Sequence, residues 1–241
     1  SIRALEKKAE AVVIIPTGAI EQHGPHLPVG VDSMLGQAWT TRLMEALEIS
    51  HPVYVGPPIT YGKSNEHVGF PGTVWISRTT LRRMLRVCVE QLQAWGFRKI
   101  VLLNTHGGNT TVLKYSLQEL ELELPGTRLG FLSFGNPDYG LSEQEATYGF
   151  HANEVETSLL LHMAPQYCDR DEAVCHYPAD VKDPGDLRPE NAPATFAWIS
   201  SDISESGIMG DAPAGSAEKG EAWLARGVQG LVETIKTWLK N

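Results

Sequence analysis

Lys99-Ile100-Val101-Leu102-Leu103-Asn104 runs without a break into Thr105-His106-Gly107-Gly108-Asn109. The apolar block reads as a buried strand and the two glycines as a tight turn or a close backbone approach. Residues 109–121 then have the pattern of a helix. On the N-terminal side Leu81, Leu85, Cys88, Val89, Leu92 and Trp95 recur at three- and four-residue spacing, which predicts an amphipathic helix over residues 79–95. A buried strand between two helices is the unit of a parallel sheet.

The same alternation continues along the chain. Residues 11–16, Ala11-Val12-Val13-Ile14-Ile15-Pro16, predict a strand. Residues 33–47 predict a helix with Asp32 where a cap would sit, and residues 52–56 a short strand. Further on come a strand at 129–134, a helix at 154–163 and a closing helix at 217–239, with Leu224, Val228, Leu231, Ile235 and Leu239 on one stripe. The expected fold class is α/β: a single domain with a mostly parallel β-sheet flanked by helices on both faces. The 241 residues suffice for one such domain. Residues 175–194, rich in Pro, Asp and Ala, are expected to form a long surface loop serving as a lid or an oligomer contact.

Charge and composition exclude several classes of function. Lys and Arg total 20 against 29 Asp and Glu, a net charge of −9 with no dense basic cluster. Nucleic acid and anionic membrane surfaces are therefore poor partners, and a small-molecule substrate is expected. No apolar run approaches the roughly 20 residues that cross a bilayer, and no signal peptide is visible. Cys88, Cys168 and Cys175 are odd in number and form no CxxC, so reduced thiols in a cytoplasmic protein are expected.

Three clusters carry the chemistry. Glu21-Gln22-His23-Gly24-Pro25-His26-Leu27-Pro28, with Asp32 beyond it, follows the first strand in a loop stiffened by glycine and proline. Carboxylates and imidazoles on short, stiff backbone are the mixed oxygen and nitrogen donors that zinc, manganese or iron(II) prefer. His106 follows the central strand, and ligands of open parallel sheets gather at the carboxyl ends of strands. His106 is thus expected beside Glu21 and His23. The third cluster is His151-Ala152-Asn153-Glu154-Val155-Glu156-Thr157-Ser158. Glu156 shares a helical stripe with Leu160 and Met163 and is expected to face inward; Glu154, with Thr157 and Ser158, is expected on a more polar side. An ionised glutamate is costly to bury unless paired or metal-bound, which makes Glu156 the stronger candidate.

With these clusters the chain resembles the creatininase family of metal-dependent hydrolases. The matching segments are Gly18 to Pro28 with Asp32, Tyr61-Gly62-Lys63-Ser64, Phe70-Pro71-Gly72-Thr73, the His106 turn, His151 with Glu156-Thr157-Ser158, and Gly207 to Gly220. The resemblance implies a parallel α/β fold, one or two divalent ions and a homohexamer. It makes Glu21, His23, Asp32 and His106 metal ligands, with Asp32 suited to bridge two ions. It also makes His151 a catalytic histidine, Glu156 an active-site glutamate and Ser64 a substrate contact. His67 and His26 are pocket candidates that could orient a ligand. Creatinine hydrolases carry His-Tyr-Glu-Asn where this chain has His106-Gly107-Gly108-Asn109, and the resemblance then implies that Glu156 supplies the missing ligand. Thr147 stands where they carry a tryptophan that closes over substrate, so creatinine is not the expected substrate. Relatives with the simpler pocket deformylate ring-opened purines, mature a peptide-derived redox cofactor or open oxidised inositol rings.

The expected activity is hydrolysis of an amide-type C–N bond by a metal-activated water, with Glu156 a ligand or the base. Carbon–carbon hydrolysis of an oxidised cyclitol needs the same water and is the alternative chemistry. A non-catalytic metal- or small-molecule-binding protein is the alternative of another class, and the intact first motif argues against it.

Overall fold

The computed structural model describes residues 1–134, 138–179, 181 and 197–240. Four strands, β1 (Val12–Thr17), β2 (Val53–Val55), β3 (Lys99–Asn104) and β4 (Arg128–Phe131), form one sheet in the order β2-β1-β3-β4. Every pairing is parallel, and β1 lies along β3 from Val12↔Lys99 to Thr17↔Asn104. Parallel neighbours require crossovers. Helices α1 (Val31–Ala46), α2 (Arg78–Ala94) and α3 (Thr110–Glu123) supply them.

Side chains alternate across a strand, so each apolar run feeds two cores. Val12, Ile14, Val101 and Leu103 face α1, α5 (Glu154–Met163) and α7 (Ala217–Lys240). Val13, Ile15, Ile100 and Leu102 face the other way, against Leu81, Leu85 and Val89 of α2 and Leu113, Leu117 and Leu120 of α3. The sheet is covered on both faces, as expected. Ser77 caps α2 by accepting the Thr80 N–H at 3.1 Å. Helices α5 and α7 approach closely because Gly220 has no side chain: a Cβ there would lie 2.0 Å from the Ser158 carbonyl oxygen.

Several local expectations need correction. Asp32 is not a cap: α1 starts at Val31 with Gly30 as its N-cap, and Asp32 is a buried first-turn residue whose carboxylate turns inward. The polar stripe of α5 is not a solvent-facing side, although Glu156 turns inward beside fully buried Leu160 as expected. Glu154, Thr157 and Ser158 are buried against the C-terminal segment, with Glu154 Oε1 2.6 Å from Lys219 Nζ, while Glu156 is half-buried. Spacing within one helix could not reveal that α7 packs on the polar stripe and that lysine neutralises its glutamate. Strand β4 stops at Phe131, short of residue 134. Periodicity also missed the short helices α4 (Glu143–Tyr148) and α6 (Ser200–Ile203). The expected loop at 175–194 begins instead as strand β5 (Cys175–His176), antiparallel to β6 (Gly210–Asp211); residues 180 and 182–194 of that loop lie outside the described residues. All three cysteines are unpaired, and no helix among the described residues is long and apolar enough to cross a membrane.

Candidate metal centre

The ends of β1 and β3 lie side by side, so the loops that leave them share one edge of the sheet. Glu21, His23, Asp32, His106 and His151 converge there, each no more than 6 % exposed. His106 Nδ1 is 3.2 Å from Glu21 Oε2 and 3.4 Å from Asp32 Oδ2. His23 Nε2 is 3.5 Å from Asp32 Oδ1 and 3.7 Å from Glu156 Oε2. Two triads result, Glu21–Asp32–His106 and His23–Asp32–Glu156, with the donor atoms of each within 4.8 Å of one another. They share Asp32 and use a different oxygen of it. Glu21, His23 and His151 form a third compact group.

Buried polar atoms are normally hydrogen-bonded. Here Glu21 Oε2, His23 Nε2 and Asp32 Oδ2 are buried without a hydrogen-bond partner among the described residues. These atoms face one another across a gap, and once His23 gives up its proton their lone pairs would surround a divalent cation, so the donor set fits such an ion. The far nitrogen of each histidine meets a main-chain carbonyl: His23 Nδ1 lies 3.2 Å from Glu21 O, and His106 Nε2 lies 3.2 Å from Lys63 O. Such bonds fix the tautomer and leave the other nitrogen open towards the centre. His151 donates from Nε2 to the Gln22 carbonyl at 2.7 Å and aims Nδ1 at Glu21 Oε1, 3.7 Å away. Its ring stands between His23 and His67, with centroids 4.4 and 4.2 Å away.

Local backbone explains these positions. Ala152 adopts φ +50°, unusual for a residue with a side chain, and so turns the chain between His151 and the Asn153 cap of α5. Glu156 Oε2 holds this bend by accepting the Ala152 N–H at 2.6 Å. Beneath it the fully buried Glu145 carboxylate accepts the N–H of Glu154 at 3.0 Å, the N–H of Asp211 at 2.9 Å and the Tyr177 hydroxyl at 2.8 Å. Sequence reasoning missed Glu145, because its partners lie on three separate segments. It also passed over Gln22. The Gln22 amide nitrogen stands 2.9 Å from His67 Nδ1 and donates to Gly207 O at 3.1 Å. Gly207, at φ +81°, leaves room for it, since a Cβ there would meet Gln22 Oε1 at 2.1 Å.

In the metal-free protein these groups perturb one another strongly. Burial opposes ionisation of Glu21, yet His106 and His67 outweigh it and lower its pKa to about 2. Burial also opposes a charged His23, but the Glu156 and Asp32 carboxylates raise it to about 9. His106 moves well above its usual value because Glu21 and Asp32 overcome its burial. His151 moves well below, through burial and the neighbouring His67 and His23. Burial, reinforced by the Asp32 charge, lifts Glu156 to about 7 against the pull of His23.

A cavity of about 470 Å³ opens over the centre, lined among others by His67, Glu66, Arg78, Phe150 and Trp198. Glu66, Arg78, Phe150 and Trp198 carry no sequence signal of their own. Ser64, expected to touch substrate, is fully buried behind His106, its Oγ 3.3 Å from Nε2. His67 lines the cavity with Nε2 3.3 Å from Glu21 Oε1. His26 is buried away from it and bonds Thr157 Oγ1 at 2.8 Å.

Paired carboxylate–imidazole triads at the carboxyl ends of parallel strands define a class, the α/β metal hydrolases. A profile of the creatininase family, described as creatinine amidohydrolase, matches residues 1–235, and the chain belongs to that family. It is 34% identical over 229 residues to the mycofactocin precursor peptide peptidase of Mycolicibacterium smegmatis, covering 94% of this chain and 85% of that one. It is 31% identical over 245 residues to the creatinine amidohydrolase of Pseudomonas putida, covering 94% and 89%. A solved structure described as creatininase Mn superposes with a TM-score of 0.73 at 29% identity, over 95% of this chain and 91% of the other. A related creatininase mutant structure is of the Zn-Zn type.

Proposed function

We propose that this protein is a divalent-metal-dependent hydrolase that cleaves an amide-type C–N bond of a small molecule: a cyclic amide, a formamide or a peptide-like bond. The observation that carries the proposal is the pair of triads sharing Asp32. Glu21, Asp32 and His106 would hold one ion, and His23, Asp32 and Glu156 the other. Divalent zinc, manganese or iron bound there supplies Lewis acidity and a water whose pKa falls to about 7.

The chain's own groups handle the protons. Glu156 stands beside His23 at the open side of the centre, where it completes the second triad or takes a proton from water. His151 donates from Nε2 to Gln22 and holds a free lone pair at Nδ1. It can accept a proton there and return it to a departing nitrogen. In this tautomer it cannot donate to a developing oxyanion until Nδ1 is protonated. Three unpaired cysteines support a cytoplasmic setting, and the family resemblance supports a homohexamer.

Metal-loaded protein tested against formamides, lactams, short peptides and oxidised cyclitol ketones should turn over a member of the first three groups. Turnover of the cyclitols alone would replace the amide assignment with carbon–carbon hydrolysis. Replacing His151 with asparagine should slow turnover by about 10²- to 10⁴-fold with the metal content unchanged. Loss of metal in that variant would instead make His151 a ligand, through its group with Glu21 and His23.

A further inference from the structure

The cavity over the metal centre carries a positive charge that the centre does not use. Its lining cations are Lys63 and Arg78. Lys63 Nζ lies 3.4 Å from Glu66 Oε2, so these two charges offset each other within the wall. Glu66 fits there because residue 108 is glycine; a Cβ at that position would meet Glu66 Oε1 at 2.0 Å. The Arg78 side chain has no hydrogen bond or ion pair with any described residue. It is the first residue of α2, whose Ser77 cap and the Ile76 N–H bond to Gly62 O at 2.9 Å fix its main chain. The exposed guanidinium therefore projects from a rigid base beside the opening.

The charge of the centre adds to this, if two ions occupy the triads as proposed above; the inference rests on that reading. Three carboxylates, from Glu21, Asp32 and Glu156, face two doubly charged ions, leaving the centre positive. On a chain of net charge −9 the cavity becomes a local positive focus that draws in anions. Val112, Phe150 and Trp198 provide apolar wall between the charges, with the two aromatic rings 6.1 Å apart. A single planar guanidinium matches a carboxylate through two parallel N–H···O bonds.

We infer that the substrate carries a carboxylate beyond the scissile amide and that Arg78 holds it. The substrates are then acylated amino acids or short peptides with a free carboxylate, rather than neutral amides.

Hydroxamates test this without turnover, because the hydroxamate end chelates the metal and the other end reports on Arg78. Succinic and glutaric monohydroxamates are titrated into metal-loaded protein by calorimetry, beside the same molecules with the carboxylate converted to a primary amide. The better-fitting carboxylate form should bind about tenfold more tightly. The preference should vanish in Arg78→Ala and return in part in Arg78→Lys, all at unchanged metal content. Equal affinity of both forms in the native protein, or a preference that survives Arg78→Ala, overturns the assignment of Arg78. Failure of all the hydroxamates to bind would instead bring down the paired metal centre, and the inference with it.

Discussion

Asparagine in place of Asp32 should empty the metal centre and abolish hydrolysis. Asp32 belongs to both triads and is the sole residue common to them, with Oδ2 facing His106 and Oδ1 facing His23. Asparagine keeps the shape but offers one neutral oxygen and a donor N–H, which repels a cation. Both positions lose charge at once. Lewis-acid stabilisation amounts to several kcal/mol of the barrier, so turnover should fall by more than about 10³-fold. The fold should survive, because the α1 main chain is held independently: the Thr105 hydroxyl donates to the Asp32 carbonyl at 2.7 Å. Metal content by mass spectrometry, together with turnover and circular dichroism, checks each part. Substantial metal retained in Asp32→Asn would remove Asp32 from the ligand set.

Metal uptake should also release protons. In the metal-free protein His23 has a pKa of about 9 and His106 one well above its usual value, so both imidazoles are charged at pH 7. Burial alone would have kept them neutral; the facing carboxylates win. Each nitrogen must lose its proton before it can bind a cation, so protons and metal compete. The sign follows directly: affinity rises with pH while these groups are protonated and levels off only once both imidazoles have lost their protons. Between pH 6 and pH 8 the overall affinity for the pair of ions should rise by about two to three decades per pH unit, steeper at the acid end where Glu156 is also protonated. Calorimetric titrations at pH 7 in buffers of different ionisation enthalpy should report about two to three protons released per fully loaded chain, because Glu156, with a pKa of about 7, gives up part of one as well. A binding enthalpy independent of buffer would show that the histidines are neutral before metal arrives.

Much of the fold was legible because its strongest signals are local. The run Lys99–Asn104 is apolar at successive positions only because both faces of β3 are covered, and α2 declares its buried stripe at helical spacing. The first site motif was legible for a related reason. Glu21, His23 and Asp32 lie within one short stretch, so their shared purpose shows before any folding is known. Where the partner lies far away in sequence, local reasoning failed. The polar stripe of α5 is buried because Lys219 pairs Glu154 from α7. Glu156, by contrast, reaches the centre from the stripe it shares with fully buried Leu160, as its helical spacing predicts. Ser64 illustrates the limit of analogy: its position is retained, but its hydroxyl faces the back of His106. The cavity wall was least legible of all, since Glu66, Arg78, Phe150 and Trp198 come from separate loops and helix ends.

Anomalous diffraction from crystals loaded with zinc, recorded across the zinc absorption edge, tests the central claim most directly. Two peaks about 3.5–4 Å apart are expected, one bound by Glu21, Asp32 and His106 and the other by His23, Asp32 and Glu156, with the Asp32 carboxylate between them. No peak at these residues, or zinc held only elsewhere on the chain, would contradict the account.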